Sequence, residues 1–188
     1  MILDYKNNKE FAFKNGIQPE NNIGEVWFCG ESVCEGITFT NFHHLCLSNT
    51  IFKNCIFEKC HEISAESCRM SDCVFKNVDN IMGQYTDFQD SVFKDCCSNG
   101  PLLVIDSSGR VDNCTFETIT TLGENGYVVS ASFNSKDDVT QIINCKFVDC
   151  QVESEDGELC HCLYFEPVLS FKTVLVDNVY CDTCEVIL

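Results

Sequence analysis

A chain of 188 residues with 45% apolar content can bury one continuous core, and no stretch approaches the ~20 apolar residues of a membrane-spanning helix. Its 29 acids against 12 bases leave a net charge of −17, which excludes binding nucleic acid directly by phosphate neutralisation and favours basic partners. The start, MILDYKNNKE, lacks a basic segment followed by an apolar one, so no export signal is read and a cytoplasmic location is expected.

Residues 1–36 show no internal repeat. They hold KEFAFKNG at 9–16, read as a short helix or strand ending at Gly16, and Pro19 in a turn. From residue 37 onward one six-residue pattern recurs: ITFTNF at 37–42, CIFEKC at 55–60, CVFKNV at 73–78, SVFKDC at 91–96, CTFETI at 114–119, CKFVDC at 145–150 and VYCDTC at 179–184. The spacing is 18 three times, then 23, 31 and 34. A fixed period of this size marks a stacked repeat architecture.

In C-x-F the first and third residues point the same way on a strand. The sixth is again apolar (Phe42, Cys60, Val78, Cys96, Ile119, Cys150, Cys184), and a polar pair such as Glu58-Lys59 or Lys76-Asn77 precedes it. The pattern fits a short strand, a bend exposing the polar pair, and a second strand turning inward. An Asn or Asp precedes most repeats (Asn54, Asp72, Asp90, Asn113, Asn144, Asn178), and these residues tolerate the left-handed backbone of a sharp corner. Positions one, three and six do not make a helical stripe. Eighteen residues are too few for a strand–helix repeat, but they suffice for three short strands and three corners stacked about 4.8 Å apart. The third position then forms a ladder of Phe39, Phe57, Phe75, Phe93, Phe116 and Phe147, closed by Cys181. The sixteen Cys largely occupy these apolar positions and read as reduced, packed thiols acting as small hydrophobes, not as a disulfide scaffold.

With these motifs the sequence resembles the parallel β-helix proteins, and its N-C-T-F and N-C-K-F runs look most like right-handed β-helices of the pectate-lyase-like type. Residues 40–60 also phase as five-residue units (TNFHH, LCLSN, TIFKN, CIFEK), as do TDFQD and SVFKD at 86–95, which is similar to pentapeptide-repeat proteins; that phasing breaks near Glu62 and Gly83. A left-handed hexapeptide helix shares the period but not the small-residue signature. The expected fold is all-β: a single-stranded right-handed parallel β-helix of about seven coils over 37–188, with 1–36 as an N-terminal cap. After 114 the runs GENG, NSKDD and ESEDGE read as longer loops or wider coils.

Candidate chemistry is sparse. Cys160, Cys162, Cys181 and Cys184 have a zinc-like look, but the ladder explains Cys181 and Cys184, and core packing is the reading taken. His43, His44 and His61 fall near strand ends of consecutive coils, with His44 and His61 expected close together; no nucleophile–base–acid set assembles from them. The resemblance to pectate-lyase-like proteins implies polysaccharide cleavage, which needs a basic catalytic residue with calcium-binding Asp. Only two Arg exist, Arg69 and Arg110, and neither lies in a readable motif. Asp72, Asp90 and Asp95 are the candidate carboxylates along one edge, but the first two already have corner duties. No enzyme activity, metal or cofactor is therefore expected.

The acidic residues carry the functional reading. From Asp149 to Leu188 there are nine acids and one base, and the polar loops place Asp137, Asp138, Glu153, Glu155, Asp156 and Glu158 as the expected partner-binding set. Seven coils make a rod of roughly 34 Å, so −17 amounts to about one charge per 2 Å, against one per ~1.7 Å of duplex DNA. The expectation is an acidic interaction protein for a basic protein surface, such as an inhibitor of a nucleic-acid-handling enzyme of the nucleic-acid-mimic or phage counter-defence kind. The resemblance to pentapeptide-repeat proteins, some of which are DNA-shaped inhibitors of topoisomerases, implies the same. The alternative is a carbohydrate-binding or polysaccharide-degrading β-helix protein. Apolar residues at the far end (Cys181, Cys184, Val186, Leu188) further lead to the expectation of a homodimer through the C-terminal coils. Sedimentation at micromolar concentration tests it: dimerisation should strengthen from 50 to 500 mM salt as charge repulsion is screened, whereas a monomer at both rejects it.

Overall fold

The computed structural model describes residues 2–4, 18–19, 25–123, 126–135, 137–153, 162–165 and 173–181. They form a right-handed parallel β-solenoid, without a helix among them. One sheet of nine strands and another of eleven run the length of the stack. The larger sheet wraps around a corner, so each turn presents three faces. The first face stacks Thr38–Thr40, Ile56–Glu58, Val74–Lys76, the start of Val92–Asn99, the start of Thr115–Leu122, and Lys146–Val148. The second stacks the first halves of His44–Lys53, Asn80–Gln89 and Leu103–Asp112 with Glu62–Glu66 and Val129–Ser132. The third stacks their second halves with Arg69–Ser71, Val139–Ile143 and Thr173–Asp177.

Corners fall where the sequence places residues able to adopt positive φ. In the turn 38–55 these are Asn41 (64°), Asn49 (51°) and Asn54 (50°). In the turn 56–73 they are Lys59 (55°), Ser67 (53°) and Asp72 (54°), and in the turn 74–91 Asn77 (51°), Tyr85 (48°) and Asp90 (50°). The Asn and Asp expected before each repeat are thus the third corner. The polar pair within the repeat supplies the first. The second corner, between the second and third faces, has no constant residue and was not read from the sequence.

Inward residues form columns. Phe39, Phe57, Phe75, Phe93, Phe116 and Phe147 are fully buried, and their rings stack face to face at 4.5–4.9 Å within 8° of parallel. Phe52 and Phe88 cross this stack from the third face, edge-on or tilted, at 5.7–5.9 Å. Each ring leaves water against two neighbours, about 1.5–3 kcal/mol per side chain. The cost of ordering each short strand is therefore offset collectively, as in other stacked repeats.

Four successive turns (38–55, 56–73, 74–91, 92–114) are complete among the described residues, so the expectation of about seven coils is corrected to about four. The later repeats, whose longer spacings widen the turn, do not close complete coils among the described residues. Residues 96–99 continue past Asp95 to pair with 119–122, and Thr120–Leu122 pairs in turn with Gln151–Glu153. Gly109 sits where the pairing of Asn80–Gln89 with Leu103–Asp112 slips register; a Cβ there would lie 2.7 Å from both the Thr86 carbonyl oxygen and the Ile105 side chain. Within 1–36, Ile2–Asp4 and Glu25–Glu35 add parallel strands to the first turn, and Gln18–Pro19 pairs antiparallel outside Glu25–Glu35.

Replacing Phe75 or Phe93 by Ala removes a rung from a close-packed stack and should cost about 3–5 kcal/mol in denaturant unfolding, while Lys76→Ala should cost under about 0.5 kcal/mol. Equal effects at both kinds of position would contradict the packing described.

Candidate functional site

The outward side chains distribute charge unequally among the faces. Strands of the first face carry Glu58, Asp95 and Glu117 against Lys76, Lys94 and Lys146 among the described side chains. The third face mixes Glu35, Asp87, Asp112 and Asp177 with Lys53, Arg69 and Arg110. The second face holds Glu62, Glu66 and Asp106, and its described strands contain neither Lys nor Arg. Asp79, at the rim of the same face, adds a further carboxylate. Between these acids runs an in-register row, Ser64, Met82, Val104, Ser130 and Tyr164, of which Ser130 is buried. Met82 is 41% exposed and Tyr164 37%, and the Tyr164 ring stacks on Tyr127 at 4.4 Å. An apolar centre with a charged rim is the anatomy of a protein-binding surface.

The third face carries two adjoining shallow depressions of about 320 and 390 Å³, which share Tyr85 and Asp87. Both arginines of the chain line them: Arg69, Asp87 and Arg110 are successive rungs of one outward row. Arg110 donates to Asp112 at 2.6 Å, and Arg69 lies 4.0 Å from Asp87. Tyr85 forms the wall between the depressions, 52% exposed and at positive φ. A bulky residue in that conformation is uncommon.

The expected partner-binding residues separate. Asp138 is 5% exposed, and its carboxylate accepts from the Asn134 and Ser135 backbone N–H groups (2.9 and 2.7 Å) and from Ser108 Oγ at 3.4 Å. It closes the 133–138 loop and is not available to a partner. Asp137 remains on the surface of that loop. The backbone of Glu153 lies in a described strand, whereas Glu155, Asp156 and Glu158 lie outside the described residues, as do Cys160, Cys184, Val186 and Leu188. Cys162 is disulfide-bonded, with the Cys181 sulfur 3.4 Å away, so its sulfur is not a free thiolate for zinc. Asp72 and Asp90 occupy third corners, but Asp95 occupies a first corner, so the three do not share an edge. His44 pairs with Glu62, the neighbour of His61 on the next turn. His61 meets His43, while His44 Nε2 turns to Ser64 Oγ at 3.1 Å and lies 3.9 Å from Glu62.

The sequence reading overlooked Glu62, Glu66, Asp106, Tyr85 and Asp79. Alternation could have set Glu62 and Glu66 outward around Ile63 and Ala65. Their grouping with Asp106 depends on the register between coils.

Twelve described cysteines are free, most of them buried. Burial pushes the Cys60 thiol up to about 12 and those of Cys96 and Cys145 to about 11; Cys114 is raised further, for the same reason. A raised thiol pKa keeps the nucleophilic thiolate scarce. Cys97 alone among the free described thiols is classed exposed.

No protein-family model matches the chain, and no curated protein sequence matches it either. Among solved structures, the Agl-KA catalytic domain is similar at 8% identity and a TM-score of 0.34, over 77% of this chain and 30% of that one. The chain thus spans under a third of that protein's length, and a likeness at this level carries no argument about function.

In the native protein at pH 8, iodoacetamide should label Cys97 and leave Cys60, Cys96, Cys114 and Cys145 unmodified until denaturant is added. Peptide mass mapping reads the result, and rapid native labelling of Cys60 or Cys145 would contradict their packing.

Proposed function

We propose that this chain is a non-enzymatic acidic interaction protein that docks a basic protein surface through its second face. The observation that carries this is the segregation of charge among the described residues: acids without Lys or Arg on the second face, balanced charge on the first. Met82, Val104 and Tyr164 supply the apolar centre, while Glu62, Glu66, Asp79 and Asp106 supply the field that steers a cationic partner. The partner class we favour is an enzyme that handles nucleic acid, since such enzymes expose basic surfaces to phosphate. The chain would then act as an inhibitor of the nucleic-acid-mimic or phage counter-defence kind. We place it in the cytoplasm on its twelve free described thiols, with the disulfide-bonded Cys162 as the exception to the reading of reduced, packed cysteines. No helix among the described residues is long and apolar enough to cross a membrane.

A second reading rests on the third face. Tyr85, with the planar groups of Asp87, Arg69, Arg110 and Gln141 around it, offers stacking and paired hydrogen bonds to a carbohydrate. Retention on a polysaccharide column, lost in Tyr85→Ala, would favour it.

The main reading is tested by reversing charge. The triple variant Glu62→Lys, Glu66→Lys, Asp106→Lys should weaken binding to a basic partner recovered at low salt by about tenfold or more and flatten its salt dependence. Reversal of Glu58 and Glu117 on the first face should change little. If the second-face variant binds as the wild type does while Glu153→Lys, Glu155→Lys, Asp156→Lys and Glu158→Lys together abolish binding, the late loop and not this face is the docking surface.

A further inference from the structure

Three of the four histidines of the chain are His43, His44 and His61, and two of them meet on the ridge between the first and second faces. His43, His61 and Asp79 follow one another there on successive turns, and the exposed Cys97 takes the equivalent place on the next. His61 and Asp79 are 58% and 48% exposed, and their Nδ1 and Oδ2 atoms are hydrogen-bonded. The His43 ring stands edge-on to His61, with centroids 4.9 Å apart.

None of these residues is needed for the turn itself. The positive-φ positions at this ridge are Asn41, Lys59 and Asn77, and an exposed imidazole–carboxylate pair contributes little stability. The arrangement does have a chemical consequence. When His61 donates its Nδ1–H to Asp79, the lone pair is fixed on Nε2; metal-binding histidines are oriented by carboxylates in this way. Strand rungs repeat at about 4.8 Å. Two imidazole nitrogens on one tetrahedral zinc, each at about 2.0 Å, lie about 3.3 Å apart. Rotation of the exposed His43 ring about its side-chain bonds covers the difference without moving backbone. As the side chains stand, no three His, Cys, Asp or Glu among the described residues are grouped to hold a metal ion. The site therefore offers two nitrogens and leaves the remaining positions to water or to another ligand. Nitrogen donors favour zinc-class cations over calcium and magnesium, which take oxygen. His44 is excluded, since its Nε2 is turned to Ser64 and Cys46.

We infer that His43 and His61 form a two-nitrogen site for a zinc-class divalent cation on this ridge, with Asp79 as its positioning residue. The inference is independent of the basic-partner reading, because it concerns the free protein and a metal ion alone.

Zinc chloride titrated into the ¹⁵N-histidine-labelled full chain, followed by imidazole NMR, tests it. The expected result is a 1:1 perturbation of the His43 and His61 ring signals, with His44 and His161 unmoved. His43→Ala or His61→Ala should each weaken binding at least about tenfold, and Asp79→Asn about 10–100-fold. Cys97→Ser should leave the titration unchanged. Calcium chloride at the same concentration should shift neither ring. All four substitutions are at solvent-accessible positions, and unchanged thermal melting confirms that each variant folds. Zinc perturbing only His44 or His161, an unaltered titration in His61→Ala, or loss of binding in Cys97→Ser would each overturn the assignment.

Discussion

The structure depends on how a chain can turn sharply three times in eighteen residues without burying unpaired backbone. At eleven corners the residue at positive φ is followed by a buried Cys, Ser or Thr whose S–H or O–H donates to the carbonyl two residues back. Thr86 does so to Gln84 at 3.0 Å, Ser91 to Gln89 at 2.8 Å and Cys73 to Ser71 at 3.3 Å. Several of the same groups also reach a carbonyl of the preceding turn, as Thr86 does to Ala65 at 3.0 Å and Cys55 to Cys34 at 3.4 Å. A buried carbonyl left without a partner would cost about 1–3 kcal/mol. A small side chain with one X–H group both fills the corner and supplies that partner. This accounts for the abundance of cysteine. The thiol is as compact as a methyl-bearing side chain, tolerates burial, and still donates weakly. Phe42, Val78 and Ile119 alternate in this column with Cys60, Cys96 and Cys150, and the Val78 N–H donates to Cys96 Sγ at 3.5 Å.

Once the corners are set, the faces follow. Each face is a parallel sheet one strand wide per turn, and its inward residues stack into columns. Consequently the outward residues also stack, and any chemistry repeated at the turn spacing becomes a row on the surface. Glu66, Gln84, Asp106 and Ser132 form one such row, while Ile51, Arg69, Asp87, Arg110 and Gln141 form another. A fold of this kind turns a one-dimensional sequence pattern into a two-dimensional surface. The second face is acidic because bases are absent from every described strand that contributes to it, not because of any one dense acidic segment.

That distinction separates the late acidic loop from the second face as docking surfaces. A loop can present charge with little geometric definition. A row on a sheet fixes charges at intervals of about 4.8 Å, and here it also brings Met82 and Tyr164 among them. Asp138 illustrates the difference between a charge in the sequence and a charge on the surface, since its carboxylate is used in closing a loop.

The sequence by itself determined the architecture. The spacing of 18, the inward positions one, three and six, and the Asn or Asp ahead of each repeat led to the parallel solenoid, the Phe ladder and the third corner, because local backbone preference and side-chain alternation suffice for those. Only the tertiary structure decided the rest. The second corner is formed by Asn49, Ser67, Tyr85 and Ser107, three residue types in four turns, so no single pattern announces it. The longer late repeats widen the turns because 96–99 finds a partner in 119–122, a pairing without a local signal. The meeting of His61 with His43 and Asp79, and of Glu62 and Glu66 with Asp106, depends on register between turns of unequal length. Which outward residues share a face is fixed by that long-range pairing, and the sequence states it only after the turns have been aligned.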